Sequence, residues 1–104
     1  MAERAITWSV TASKQLRKVL EFWIERNGSN IYSLKLLDRI EENLEQVKKY
    51  PKKCPETIHP GLRVAAMGHY SIYYRITKNS IRIDAFWDNR QNPKELNDFL
   101  KSRS

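Results

Sequence analysis

The sequence predicts an α+β fold: a strand, two helices, then a three-stranded antiparallel meander, with a short helix at the end. Three observations carry that prediction. Apolar residues recur every three or four positions twice in the first half of the chain. They alternate every second position three times in the second half. Between the halves lies "PKKCPETIHPG", three prolines and a glycine in eleven residues, which is a loop.

The elements follow in order. Residues 5–10, "AITWSV", put Ile6, Trp8 and Val10 on one face of a short strand. Thr11 offers an N-cap oxygen to a first helix over residues 12–26. Its apolar stripe is Ala12, Leu16, Val19, Leu20, Trp23 and Ile24. Gly28 suits a left-handed C-terminal cap, and Ser29 is placed to cap the next helix. The second helix runs from Asn30 to Lys49, with Leu34, Leu37, Ile40, Leu44 and Val47 on its inner face, and Pro51 stops it. So short a connection makes the two helices an antiparallel hairpin.

The meander then reads as follows. In "LRVAAM", Leu62, Val64 and Ala66 share one face and Arg63 takes the other. In "HYSIYYRIT", Tyr70, Ile72, Tyr74 and Ile76 face inward, opposite Ser71, Tyr73 and Arg75. In "IRIDAFW", Ile81, Ile83, Ala85 and Trp87 face inward, opposite Arg82, Asp84 and Phe86. "NPKELNDFLKS" forms a last short helix with Pro93 at its first position. The hairpin is expected to cover one face of the sheet and leave the other wet. That wet face would carry Arg63, Tyr73, Arg75, Arg82, Phe86, Asp88 and Arg90.

With 104 residues the chain is expected to form one domain, residues 1–104. Its net charge of +7 points to a polyanionic partner: nucleic acid, an acidic membrane surface or an acidic protein. Cys54 is the one cysteine, so no disulfide can form within the chain and a reducing compartment, the cytoplasm, is expected. No apolar run approaches the roughly 18 residues of a membrane span, so no membrane partner is expected. Cys54, His59 and His69 lack metal-ligand spacing. There is no phosphate-cradling glycine loop and no nucleophile elbow, so neither metal nor cofactor is expected.

Arginine and tyrosine on one surface can bind phosphates, stack on bases or pair with carboxylates. Arg90 is the leading single candidate, because it sits just past a strand end where a scaffold can fix a loop side chain. Lys52 and Lys53, with Lys48 and Lys49, form a second basic group suited to phosphate contact or to the helix dipole.

The layout resembles the RelE/ParE family of bacterial toxins from type II toxin–antitoxin modules. The resemblance spans Trp8 to Leu96. It rests on "WSVTASKQLRKVLEFW" entering a helical hairpin and "VKKYP" ending it. It rests also on "LRV" and "GHYSIYYRI" as central strands, and on "IRIDAFWDNRQNP" as the last strand and its exit. It implies a growth inhibitor neutralised by an acidic antitoxin. RelE-like members are ribosome-dependent mRNA endoribonucleases, and ParE-like members poison DNA gyrase. If the chain is a ribonuclease, the resemblance makes Arg63, His69 and Arg90 the catalytic candidates. The chain has Ser71 where RelE carries an arginine, and no tyrosine follows Arg90. The long hairpin has ParE proportions, which favours the gyrase reading over the ribonuclease. A third reading is a non-toxic member that only binds its partner.

Overall fold

A computed structural model describes residues 4–103. Strand β1 (Ala5–Trp8) leads into α1 (Val10–Asn27) and α2 (Ile31–Lys49). Strands β2 (Leu62–Met67), β3 (Tyr70–Ile76) and β4 (Ser80–Asp88) follow, then α3 (Pro93–Arg103). The sheet order is β1-β4-β3-β2. The meander is antiparallel, and β1 adds to it in parallel beside β4.

Helix α1 starts earlier than Thr11 would place it. Ser9 is still in the ladder, donating its N–H to the Ile83 carbonyl, and its Oγ accepts from the N–H of Ala12 at 3.0 Å. That side-chain bond satisfies an orphan donor of the first turn, so the helix begins at Val10. Val10 therefore leaves the strand face and is 72% exposed. Gly28 closes α1 at φ +65°, a conformation that strains any residue with a Cβ. Asn30, not Ser29, occupies the N-cap of α2 and makes no side-chain cap. The buried face of α2 is Ser33, Leu36, Ile40, Leu44 and Val47. Leu34, expected inside, is exposed. The hydroxyl of Ser33 donates to the Leu20 carbonyl at 2.9 Å, which fixes that face of α2 against α1.

The hairpin buries one face of the sheet. Its core joins Ala12, Leu36 and Ile40 to Ile72, Tyr74, Ile81, Ile83 and Phe86. The other face is not wet. Helix α3 lays Leu96, Phe99 and Leu100 across Leu62, Val64, Tyr73, Ala85 and Trp87, making a second core. The sheet is thus a middle layer between the hairpin and α3.

Two strand phases differ from the alternation. In β2, Leu62 pairs with Arg75 and Val64 with Tyr73, so both take the α3 face. Arg63 pairs with Tyr74 and takes the hairpin face. In β4 the register slips at one residue: Tyr73 pairs with Ala85, yet Tyr74 pairs with Ile83. Asp84 is the extra residue of a β-bulge. Before the bulge Ile81 and Ile83 face the hairpin, as the alternation requires. After it every side chain changes sides. Ala85 and Trp87 turn to α3, while Phe86 turns inward and stacks on Tyr70 with ring centroids 5.1 Å apart.

Candidate functional site at the end of β4

The surface expected to hold seven side chains together is dispersed. Tyr73 is buried beneath α3, and burial raises its phenol pKa. Phe86 is 2% exposed inside the hairpin core. Arg75 donates from Nε to Asp84 Oδ2 at 3.1 Å and from Nη1 to the Pro60 carbonyl at 3.0 Å. Arg82 Nε lies 3.0 Å from the other oxygen of Asp84. The bulge thus supplies a buried carboxylate that holds two arginines on the α3 side.

Arg63 is committed to the loop. Its Nη1 donates to the carbonyls of Lys52 at 3.2 Å and Cys54 at 2.6 Å. Beside it the Tyr74 hydroxyl donates to the Pro51 carbonyl at 2.7 Å, and burial, with the neighbouring Cys54, raises that phenol's pKa. Together Arg63 and Tyr74 clamp the start of the loop over residues 51–61. Lys52 and Lys53 are exposed on that loop. Tyr74 is four residues along β3 from Tyr70, so this end lies ~13 Å from the Arg90 corner.

That corner is built locally. Asp88, Asn89, Arg90 and Gln91 form a turn closed by the Gln91 N–H on the Asp88 carbonyl at 3.0 Å. Asp88 Oδ1 also accepts from the backbone N–H of Arg90 at 2.9 Å, as aspartate at a turn commonly does. Asn89 ties the turn to β3: its N–H donates to the His69 carbonyl at 2.7 Å, and its Oδ1 accepts from Ser71 Oγ at 2.9 Å. Asn92 caps α3, accepting from the Lys94 N–H at 2.9 Å, with Pro93 at the first helical position.

The turn aims the Arg90 guanidinium back across the sheet end. It grips Asp88 through two parallel bonds, Nε to Oδ1 at 2.9 Å and Nη2 to Oδ2 at 2.7 Å. These bonds pull the Asp88 carboxyl below its ordinary range and raise the guanidinium's pKa. The charge also lies 6.0 Å from the Trp23 ring centroid and 5.9 Å from that of Tyr70, the outer range of cation–π attraction. Trp23 Nε1 donates to the Tyr70 hydroxyl at 2.9 Å, and Arg90 Nη2 reaches the same oxygen at 3.5 Å. Trp23 packs further against Phe22 and Tyr32. His69 is exposed nearby, at the start of the hairpin that Asn89 closes.

A groove of about 260 Å³ opens beside this cluster, lined by Lys18, Phe22, Trp23, Tyr70, Asp88 and Gln91. Sequence reasoning placed Trp23 and Tyr70 in the core and passed over Lys18, Phe22 and Gln91. A signal was present: Lys18 and Phe22 are four apart on one helix face, outside the main stripe. Of the expected site residues, the fold brings His69, Asp88 and Arg90 together. Chemically the corner offers a fixed cation, an aromatic wall and hydrogen-bond donors. Among the described residues no cluster of histidine, cysteine and acidic side chains is disposed to hold a metal ion. No helix there is long and apolar enough to cross a membrane.

Comparisons with known proteins agree on what this architecture is. Residues 6–93 match the family model of the ParE toxin of the type II toxin–antitoxin system, parDE. No curated protein matches the sequence. Among solved structures, the chain is similar to one from the chromosomal ParDE system of P. aeruginosa. There the TM-score is 0.70 at 17% identity, covering 83% of this chain and 96% of that one. It is also similar to a chain of the E. coli DinJ–YafQ toxin–antitoxin complex, with a TM-score of 0.49 at 15% identity, covering 86% and 96%. At 17% identity the likeness to the ParDE chain speaks for the fold alone, while the family model spans most of the chain. The chain belongs to the ParE toxin family of type II toxin–antitoxin systems.

Proposed function

We propose that the chain arrests growth by acting on DNA gyrase and is held in check by an acidic antitoxin. The family match over residues 6–93 carries the toxin and antitoxin part of this reading, and the length of the α1–α2 hairpin favours gyrase as the target. Two features of the molecule support it. Arg63 is spent on the loop carbonyls, far along the sheet from Arg90, so one of the three residues expected to cleave RNA lies apart from the other two. The Arg90 corner instead has the makings of a contact surface: an anchored cation beside an aromatic groove. An acidic chain lying over that corner would occupy the contacts the target needs, which is how neutralisation would work.

The ribonuclease reading draws on one observation, the exposed His69 beside the Asp88–Arg90 pair, where an imidazole can move a proton. Induction of the chain without an antitoxin separates the two. We expect thymidine incorporation to stop within minutes while amino-acid incorporation continues. If protein synthesis stops first, translation is the target. Unimpaired growth of cells holding soluble protein would leave a binding module only.

A further inference from the structure

The bonds at the Arg90 corner are unequally used. The Tyr70 hydroxyl accepts from Trp23 and from Arg90, and both of those are donors only. Its own proton is therefore left for a further acceptor, at the wall of the groove. Among the described residues Arg90 has carboxylate bonds only to Asp88, two residues away on the same turn, and the arginine side chain is 48% exposed. The groove walls are aromatic, and the cations at its rim are Lys18 and Arg90. A carboxylate already sits in this pocket, and it belongs to the protein itself.

We propose that Asp88 is an internal stand-in for a carboxylate of the acidic partner. An aspartate or glutamate of an extended peptide takes the place of Asp88 on Arg90, receives the Tyr70 O–H, and lays a neighbouring apolar side chain against Phe22 and Trp23 at the groove wall. The occupant is an acidic peptide, because the rim is cationic, the walls are aromatic and the chain carries +7 overall. The inference rests on the antitoxin reading for its partner, and it makes Asp88 a competitor whose removal strengthens binding.

The arrangement explains why an aspartate is tolerated in a site for anions. Asp88 holds the guanidinium in place over Trp23 and Tyr70 while the groove is empty. The Arg90 side chain is half exposed, so an incoming carboxylate can reach the guanidinium and exchange with Asp88 one bond for one bond. Selectivity follows. A ligand lacking a carboxylate gains nothing from Arg90 and leaves the stand-in where it is. Asparagine at position 88 keeps the turn, since its amide oxygen still accepts from the Arg90 N–H, and removes only the competing charge.

The test follows the Trp23 indole N–H by NMR, assigned through Trp23→Phe, because that proton is bonded to Tyr70. The probes are an acetylated Leu-Glu-Phe amide, its Leu-Gln-Phe counterpart, inorganic phosphate and a short DNA duplex. We expect the glutamate peptide to move the resonance, and to bind Asp88→Asn about three- to fivefold more tightly, as displacement of an exposed pair implies. We expect the glutamine peptide to bind both forms alike, and Arg90→Gln to lose the preference for glutamate. Weaker or equal binding of the glutamate peptide by Asp88→Asn, with its indole spectrum otherwise native, overturns the stand-in. A resonance that stays put with the glutamate peptide overturns the site. Phosphate or DNA moving it at lower concentration than the peptide overturns the assignment to an acidic peptide. Growth arrest is a separate readout: its failure beside a successful titration removes the toxin reading and leaves the site intact.

Discussion

Phe86→Ala is expected to destabilise the protein by about 3–5 kcal/mol, the cost of emptying a packed aromatic site. The side chain is 2% exposed in the hairpin core and stacks on Tyr70. Domains of this size have only about 5–15 kcal/mol in hand. The melting temperature should therefore fall by more than about 12 °C, at ~4–8 °C per kcal/mol. Had β4 kept its alternation to the end, Phe86 would stand on the opposite face and Trp87 inside. Thermal melts of Phe86→Ala and of Ala85→Ser test the bulge directly. The first should be the more damaging by a wide margin. A Phe86→Ala protein that melts within a few degrees of the parent would remove the ring from the packed hairpin core.

Arg90→Ala is expected to abolish growth arrest with the fold retained. The Arg90 side chain is 48% exposed and packs into no core, and the half-buried Asp88 carboxylate keeps the turn N–H as a partner when the guanidinium goes. What is lost is a charge-assisted contact of about 1.5–3 kcal/mol to whatever the corner binds, enough to weaken that contact by ~10-fold or more. Arg82→Ala is the matched control. Arg82 is similarly exposed but pairs with Asp84 on the α3 side, away from the groove. Arrest should survive it. Measured at equal soluble protein, equal toxicity of Arg90→Ala and the parent would remove the corner from the functional surface.

Most of the fold was legible because its signals are local. Helix periodicity, the glycine cap at Gly28, Pro51 and Pro93 each act within a few residues, and each lies where it was read. The strand faces were harder. "IRIDAFWD" reads as clean alternation, and the bulge at Asp84 cannot be seen in the pattern. Its trace is the bulky pair Phe86 and Trp87 at successive positions. That pair, like Tyr73 and Tyr74, makes both faces of the strand apolar. A sheet apolar on both faces needs two covers, and Leu96, Phe99 and Leu100 of α3 supply the second. The wet basic face was an error of that missing cover. Arg63 was misplaced because in β2 both phases carry apolar residues, so period alone could not choose between them. The candidate site was half legible. Arg90, Asp88 and His69 lie close in sequence or across one strand pair. Trp23 and Phe22 come from a helix whose rotation against the sheet end no local pattern specifies.

Action on DNA gyrase, as proposed, can be tested with purified components. The most direct measurement adds the purified chain to gyrase, ATP and relaxed plasmid, and follows supercoiling and double-strand breaks after detergent and protease. The account predicts blocked supercoiling and accumulating linear plasmid, both reduced in Arg90→Ala. Undiminished supercoiling in molar excess of the chain, together with cleavage of mRNA on translating ribosomes, would contradict it.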